Sequence, residues 1–474
     1  MQPHDLCYLS ASEALRLFKA KKLSPVELME AVIARANKVE AEVNATSQTF
    51  YQRALEQARK AEAKYSAGSR TRALEGLPLA VKDEMPIKGL PATSGSLALV
   101  DEVATETAFV VERSFKAGAI MHMRTTTPEF CCAGVCHTRL WGVTRNPWNL
   151  AFSPGGSSGG TGAALAAGTA TLGTGSDIGG SIRIPASLSG VVGFKPPYGR
   201  NPQGRLFNLD FYCHEGPMAR SVVDCAMLQN VMAGPHARDI ASLKPKLRLP
   251  LEYQSVRGMK IAWSMDLGFA EVDLEVQKNT HAALQKLSEA GAIVSEVEIP
   301  WTSSVLTAAL NYLGHIFGNS IGPLLQRHRH ALTCYAREFA EFGARTTGAE
   351  FIESLDVAGE MYDSFGPMLE KHDAFICPTT ALPSVAADHD STRDRVLVNG
   401  VEVEPMLGWV MTYPFNILSR CPVLAIPSGR ASNGVPTGVQ VVGRSYDDRT
   451  VFRVGHAIEA ADPWYTSQAH RPEL

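Results

Sequence analysis

Residues 154–200 read PGGSSGGTGAALAAGTATLGTGSDIGGSIRIPASLSGVVGFKPPYGR, and this glycine- and serine-rich stretch decides the fold. Ser157 and Ser181 each follow a pair of glycines, at the two ends of a segment of small residues. No acidic or basic side chain occurs in the stretch before Asp177 and Arg183. Glycine-rich loops bind phosphate or point backbone N–H groups at a developing oxyanion, so the stretch indicates a site for negative charge.

The elements around this stretch predict an α/β layered core. Residues 77–81 form a short apolar run that is typical of a buried strand. Residues 160–167 are nearly all small, which favours a helix packed closely on a sheet, and residues 169–174 indicate the next strand. Residues 175–181 then form a tight loop. Strand, helix and strand in this order indicate a sheet layered with helices.

The flanking regions extend the same architecture. Residues 10–65 are predicted to be helical, and one helix begins at the capping box Ser24-Pro25-Val26-Glu27. Residues 301–372 are predominantly helical. Residues 374–378, 423–427 and 435–443 have the apolar, β-branched character of late core strands.

Composition excludes several classes of function. The chain has 474 residues and a formal net charge of −3, which gives no electrostatic reason to expect nucleic acid or an anionic membrane surface. We find neither a secretory signal nor a long apolar run, and we expect a cytoplasmic protein. Nine cysteines, an odd count, fit a reducing compartment. Cys131, Cys132, Cys136 and His137 lack a C-x-x-C knuckle and a second ligand pair, so we predict no metal site.

Two common motifs fit the central stretch poorly. No lysine follows the glycines as a Walker loop requires, and Ile178 occupies the position of the third glycine in a dinucleotide fingerprint. Residues 155–159 match G-x-S-x-G, but a polar loop precedes Ser157 where a nucleophile elbow needs a buried strand. Both matches are attributed to the abundance of glycine.

A serine nucleophile at position 181 fits better. The backbone N–H groups of Ile178, Gly179, Gly180 and Ser181 can converge on a carbonyl oxygen, because the glycines permit the required dihedral angles. The alternative, that the serines are loop residues bonded to nearby backbone, stays open on residue chemistry alone.

Serine also needs a base, and no histidine lies in a recognisable triad motif. Lys82 follows the buried run 77–81, and burial lowers a lysine pKa, so a neutral Lys82 can serve through Ser157. The competing interpretation is a strand end that reaches solvent, with Lys82 paired to Asp83 or Glu84.

Three blocks settle the choice by resemblance. GLPLAVKD at residues 76–83, PGGSSGG at residues 154–160 and GSDIGGSIRIPASLSGVVGFKP at residues 175–196 strongly resemble the amidase signature family of Ser-cisSer-Lys amide hydrolases. The resemblance implies that Lys82 is the general base, that Ser157 shuttles the proton beside a cis peptide bond, and that Ser181 becomes acylated.

The resemblance also implies the surrounding architecture. Ser158 and Asp177 would support the site from behind, with Arg183 as the partner of Asp177, and no metal or organic cofactor is needed. The implied fold is a single large α/β/α sandwich over residues 1–474, with a mixed, twisted sheet covered by helices on both faces. We divide it into a helical cover (1–70), a catalytic core (71–230) and a helical substrate-pocket region (301–372).

The substrate is expected to be a small-molecule amide with an apolar or aryl acyl group; carbamates, esters and hydrazides share the chemistry. The residues assigned to its pocket come from the loop 127–136 and the helical region, and they are Phe130, Cys131, Cys132, Tyr312 and Phe317. A glutamine-hydrolysing subunit of a tRNA-dependent amidotransferase is the first alternative, and a non-catalytic binding module is the second. We expect no nucleic-acid or membrane partner, and a homodimer is left open.

Overall fold

A computed structural model describes residues 3–466 and 468–474 and is built on one mixed sheet of eleven strands. Across the sheet the strands run in the order β1-β3-β2-β4-β6-β5-β10-β11-β9-β7-β8. In chain order they are β1 (Thr46–Thr49), β2 (Pro78–Lys82), β3 (Ile120–Thr125), β4 (Leu172–Asp177), β5 (Val192–Lys195), β6 (His214–Ala219), β7 (Lys260–Trp263), β8 (Ile293–Glu296), β9 (Ala374–Pro378), β10 (Val423–Arg430) and β11 (Pro436–Gly443).

The pairing around β2 and β4 positions the ends of two strands together. Strand β2 pairs in parallel with both β3 and β4, whereas β6 runs antiparallel to β4. Because the carboxyl ends of parallel strands meet at one edge of a sheet, Lys82 at the end of β2 lies beside Ser176 near the end of β4. The sheet topology therefore brings together two segments more than ninety residues apart.

Helices cover both faces of this sheet. On β2, Leu79 and Val81 pack into one apolar cluster, while Ala80 between them packs with Ala163 and Ala164 in another. Successive strand residues point to opposite faces, so both faces are buried. The helices are α1 (Pro3–Cys7), α2 (Ala11–Lys19), α3 (Pro25–Val43), α4 (Tyr51–Ser66), α5 (Phe109–Lys116), α6 (Gly159–Ala166), α7 (Arg183–Ser189), α8 (Val222–Met232), α9 (Leu274–Glu289), α10 (Ser304–Leu313), α11 (Asn319–His328), α12 (Cys334–Arg345), α13 (Gly348–Lys371), α14 (Pro414–Ile417) and α15 (Asp448–Ala461).

The predicted α/β fold with a mixed sheet and helices on both faces is confirmed. The capping box is present as predicted: the Ser24 side chain accepts from the Glu27 N–H, and the Glu27 carboxylate accepts from the Ser24 N–H. Strands β1, β5 and β6 were not predicted. The division into one domain with three regions stays a prediction.

Two further features bear on the class of protein. Among the helices of the described residues, none has both the length and the apolar character needed to cross a bilayer. All nine cysteines lie in the described part of the chain and are free thiols.

Candidate active site

Lys82 is the side chain around which the site is assembled. It ends strand β2, it is fully buried, and its own N–H donates to Thr174 Oγ1 at 3.1 Å. Its Nζ lies 2.7 Å from Ser157 Oγ, 2.8 Å from Ser176 Oγ and 2.8 Å from Glu84 Oε2. Three oxygen acceptors therefore surround the ammonium nitrogen.

This environment corrects the expectation of a lysine made neutral by burial. Burial lowers the pKa of Lys82, but the neighbouring Cys131 and the Glu84 carboxylate favour the ammonium, and the net pKa lies above its ordinary value. Of the two sequence interpretations, the pairing with Glu84 is present, but the lysine does not reach solvent. Lys82 is an ammonium in the structure as it stands.

Glu84 is the acidic member of the site that the resemblance did not supply. Its side chain is 20% exposed, and besides Lys82 it accepts a hydrogen bond from the Cys131 thiol. Burial raises the pKa of Glu84, but Lys82 and the hydrogen bonds outweigh this and leave the pKa below its ordinary value. Burial and the adjacent Glu84 raise the pKa of Cys131, which keeps it a neutral thiol.

Ser157 is placed by a tightly packed glycine loop at the start of α6. The Gly156–Ser157 peptide bond is cis, as the resemblance implied. A Cβ added at Gly156 would lie 2.1 Å from the Val135 carbonyl oxygen, so only glycine fits there. Ser157 is fully buried, and its hydroxyl oxygen accepts from Lys82.

Ser181 lies on the loop between β4 and α7 and is 7% exposed. Its carbonyl oxygen accepts from the Ser158 N–H at 3.0 Å, which ties the two serine loops together. Within the described residues, the hydroxyls of Ser157 and Ser181 are not hydrogen-bonded to each other. The Ser181 side chain instead borders a cavity beside the Lys82–Ser157 pair.

The backbone donors near Ser181 differ from the predicted set in one member. The Gly180 N–H donates to Asp177 Oδ1 at 2.9 Å and is therefore committed to that carboxylate. In the described part of the chain, the N–H groups of Ile178, Gly179 and Ser181 have no protein acceptor. These three remain as candidate oxyanion donors, and Gly180 is removed from the set.

Asp177 and Arg183 form a buried pair beneath this loop. Arg183 Nη2 and Nε donate to Asp177 Oδ1 and Oδ2, each at 2.9 Å, and both side chains are fully buried. Burial raises the pKa of Asp177, but Arg183 and Asn416 outweigh it and hold the pKa well below its usual range. The predicted partnership of Asp177 and Arg183 is present.

Two cavities meet at the catalytic loop. A small cavity of about 40 Å³ is bordered by Ser181, and a larger one of about 410 Å³ is bordered by Ser157. They share Cys131, Ile178 and Phe317 as walls. The small cavity is enclosed by apolar side chains that include Cys132, Ile184, Leu313, Phe339, Met406 and Leu407.

The predicted pocket residues separate into two groups. Phe130, Cys131, Cys132 and Phe317 border one or both cavities. Tyr312 does not: it is 1% exposed, stacks on Tyr212 at 3.6 Å between ring centroids and donates to Asp210 at 2.9 Å. Tyr312 is corrected to a core residue, because its ring packs on the body of the protein.

Sequence reasoning missed three polar residues of the site, namely Glu84, Ser176 and Glu215. Glu215 lies on β6, borders the larger cavity and has one carboxylate oxygen that is buried without a partner. Burial and the nearby Glu84 raise its pKa to about 8. The spacing of Glu84 was informative, since side chains two residues apart at the end of a strand share a face.

Across residues 3–466 and 468–474, no group of three or more His, Cys, Asp or Glu side chains is arranged to hold a metal ion. The chemical potential of the site lies in its hydroxyls, one ammonium, one carboxylate and free backbone N–H groups. Such a set can transfer protons and stabilise an oxyanion.

Comparison with known proteins agrees with this geometry. The Amidase family model matches residues 27–452. The chain is 33% identical over 473 residues to an acylamidase of Rhodococcus erythropolis, with 98% of both chains covered. It is 31% identical over 482 residues to a glutamyl-tRNA(Gln) amidotransferase subunit of Desulforamulus reducens, covering 96% of this chain and 97% of that one.

A solved structure extends the likeness to the whole fold. The crystal structure of a bacterial aryl acylamidase of the amidase signature family superposes with a TM-score of 0.89 at 30% identity, covering 96% of this chain and 97% of that one. These matches support a hydrolase that acts on amides. The chain belongs to the Amidase family, the amidase signature enzymes.

Proposed function

We propose that this protein is an amidase that cleaves its substrate through Lys82, Ser157 and Ser181 and a covalent acyl-enzyme. The observation that carries the proposal is the 2.7 Å contact between the buried Lys82 Nζ and Ser157 Oγ, next to a Ser181 side chain that borders a cavity. A buried lysine aimed at a serine is costly to maintain without partners, so it suggests a functional demand.

In the proposed reaction Ser157 relays a proton from Ser181 towards Lys82 while Ser181 Oγ bonds to the amide carbon. The N–H groups of Ile178, Gly179 and Ser181 are suited to stabilise the oxyanion. When the C–N bond breaks, Ser157 returns the proton to the leaving nitrogen. Water then hydrolyses the acyl-enzyme by the same relay.

The two cavities suggest how the substrate is oriented. Ser181 borders the small cavity, so the acyl group that bonds to its oxygen would occupy about 40 Å³ of apolar space. Ser157 borders the larger cavity, and this serine would protonate the leaving nitrogen. We therefore expect a short apolar acyl group and a larger amine, and the same chemistry extends to carbamates, esters and hydrazides.

The second candidate, a glutamine-hydrolysing amidotransferase component, is favoured by the 31% identity to such a protein. Glutamine would bring an α-carboxylate and an ammonium to the acyl side of its amide. The small cavity is bordered by apolar side chains, serine, cysteine and backbone, with no basic side chain among them, which favours the amidase. A non-catalytic binding module would have no use for a buried ammonium held on two serines.

The test uses a fluorophosphonate probe and a substrate panel. We expect the probe to label wild type and S69A, a control at an exposed serine, and not S181A. In the panel, short-chain aryl amides are expected to give higher kcat/KM than primary amides or glutamine, with esters, carbamates and hydrazides for comparison. Labelling or full amidase activity of S181A would refute the mechanism, and activity on glutamine alone that requires a partner would favour the second candidate.

A further inference from the structure

We propose that Glu84 is the proton acceptor that frees Lys82 to act as a base, so that the relay comprises four residues rather than three. The inference rests on the proposed function, and it adds a residue that the triad does not include. In this scheme Glu84 acts through Lys82 and does not touch the reacting carbon. It is a positioning residue for the proton, and its effect must appear in how the rate depends on pH.

The argument begins with the hydrogen count at Lys82. An ammonium has three N–H donors and no lone pair. The three acceptors around Nζ are Ser157, Ser176 and Glu84, at 2.7, 2.8 and 2.8 Å. With Lys82 as an ammonium, all three donors are occupied, and Ser157 has no base to which its proton could go.

One of the three acceptors can take a full proton. A serine hydroxyl such as Ser176 is not a base at neutral pH, whereas the Glu84 carboxylate is. Glu84 Oε2 lies within hydrogen-bonding distance of Nζ, so transfer between the two atoms needs no movement of the backbone. The carboxylate is therefore the nearest place where the Lys82 proton can be stored.

The proton inventory balances through a full acylation. An N–H bond of Lys82 breaks and an O–H bond forms on Glu84; Lys82 then takes the Ser157 proton, and Ser157 takes the Ser181 proton as Ser181 Oγ bonds to carbon. On collapse, Ser157 protonates the leaving nitrogen, Lys82 reprotonates Ser157, and Glu84 returns its proton to Lys82. The products are acyl-enzyme, free amine and the original ion pair.

Several ionisable groups surround the pair and define its electrostatics. The Cys131 thiol donates to Glu84 from the loop that separates the two cavities, and Lys82 approaches from β2. The other groups near the pair are Asp83 on the same turn, Arg124 on β3, and Cys213 and Glu215 on β6. Among all of these, the Glu84 carboxylate is the base within hydrogen-bonding distance of Lys82 Nζ.

The proposal predicts a pH dependence of opposite sign to a lone lysine base. If Lys82 and Glu84 share one proton, moving it between them does not change the protonation of the pair, and the rate stays flat down to the titration of Glu84. If Lys82 instead loses its proton to water, its raised pKa makes the wild-type rate climb about tenfold per pH unit through the neutral range. Glu84→Gln should then move the acid limb down, whereas our scheme moves it up.

The measurement is the second-order rate of Ser181 labelling by the fluorophosphonate between about pH 5 and 9, which needs no knowledge of the substrate. We expect a flat wild-type profile and, for E84Q, an acid limb raised by at least about one pH unit, because even strongly buried lysines titrate above a paired carboxylate. E84D, which keeps a carboxylate, should restore the flat profile in part. The matched control is E112Q, since Glu112 forms an exposed pair with Lys116 at 2.7 Å.

The outcomes separate this inference from the proposed function. An unshifted or lowered acid limb in E84Q, or a wild-type rate that climbs across the neutral range, would overturn the role of Glu84. Absence of labelling in wild type at every pH would instead overturn the proposed function. Should E84Q fail to fold, the wild-type profile and E84D still decide the matter.

Discussion

Replacing Asp177 by asparagine tests whether the buried ion pair supports the loop that carries Ser181. Asp177 accepts from two nitrogens of Arg183 at 2.9 Å and from Asn416 at 2.8 Å, and all three side chains are fully buried. In D177N the guanidinium keeps its place away from water but loses its counter-charge. Removing one partner of a buried pair costs about 3–5 kcal/mol, and we expect the free energy of unfolding to fall by that amount.

The assay is urea unfolding followed by tryptophan fluorescence for wild type, D177N, R183M and the double variant. Because the double variant removes the uncompensated charge, it should be more stable than D177N, which demonstrates coupling between the two side chains. Labelling of Ser181 should also fall in D177N, because Gly180 and Ile182 donate their N–H groups to the carboxylate. A loss below about 1 kcal/mol in D177N would refute the reasoning.

The same pair has a defined dependence on pH. Burial raises the pKa of Asp177, but Arg183 and Asn416 outweigh it, so the folded pKa lies below the value of about 3.9 in an unfolded chain. Its stabilisation is therefore complete above about pH 4 and is lost as the pH falls through the folded pKa. The stability difference between wild type and D177N should stay constant from neutral pH to about pH 5 and narrow below pH 4.

Two further predictions concern space around the catalytic loop. Gly180→Ala should unfold at lower urea than wild type and lose Ser181 labelling, because Gly180 has φ +130° and a Cβ there would lie 1.9 Å from Thr412 Oγ1; Gly179→Ala, whose Cβ would lie 3.8 Å from Leu313, should match wild type in its urea midpoint. Leu313→Ala should enlarge the small cavity and raise the kcat/KM ratio of butyryl to acetyl anilides about tenfold or more, since one or two methylenes are worth that much in an apolar pocket. An unchanged ratio would place the acyl group elsewhere.

The sequence predicted the catalytic segments well because their signals are local. The apolar run that ends at Lys82 and the small residues that follow Ser157 form β2 and α6 as expected. Strand β6 was missed, because His214, Glu215, Gly216 and Pro217 have weak strand preference, and it is fixed by antiparallel pairing with β4. Its absence from the prediction hid the wall of the larger cavity.

Tyr312 shows a second limit of the same kind. An aromatic residue on a helix of the pocket region can face either the cavity or the core, and both arrangements produce the same helical spacing. The choice is made by residues distant in sequence: the Tyr212 ring stacks against it, and Asp210 accepts its hydroxyl. Helical periodicity cannot supply that information.

The charge of Lys82 depends on the balance between burial and acceptors, and the two reach the site by different routes. Burial was foreseeable from the apolar run on β2, and burial alone argues for a neutral amine. The acceptors come from three separate places: Glu84 from the turn after β2, Ser157 from the loop before α6, and Ser176 from β4. Because their sum reverses the sign of the pKa shift, whether this lysine begins the reaction as a base or as an acid is decided by the assembled fold, and the one acceptor that can be titrated, Glu84, is where that decision can be altered by a single substitution.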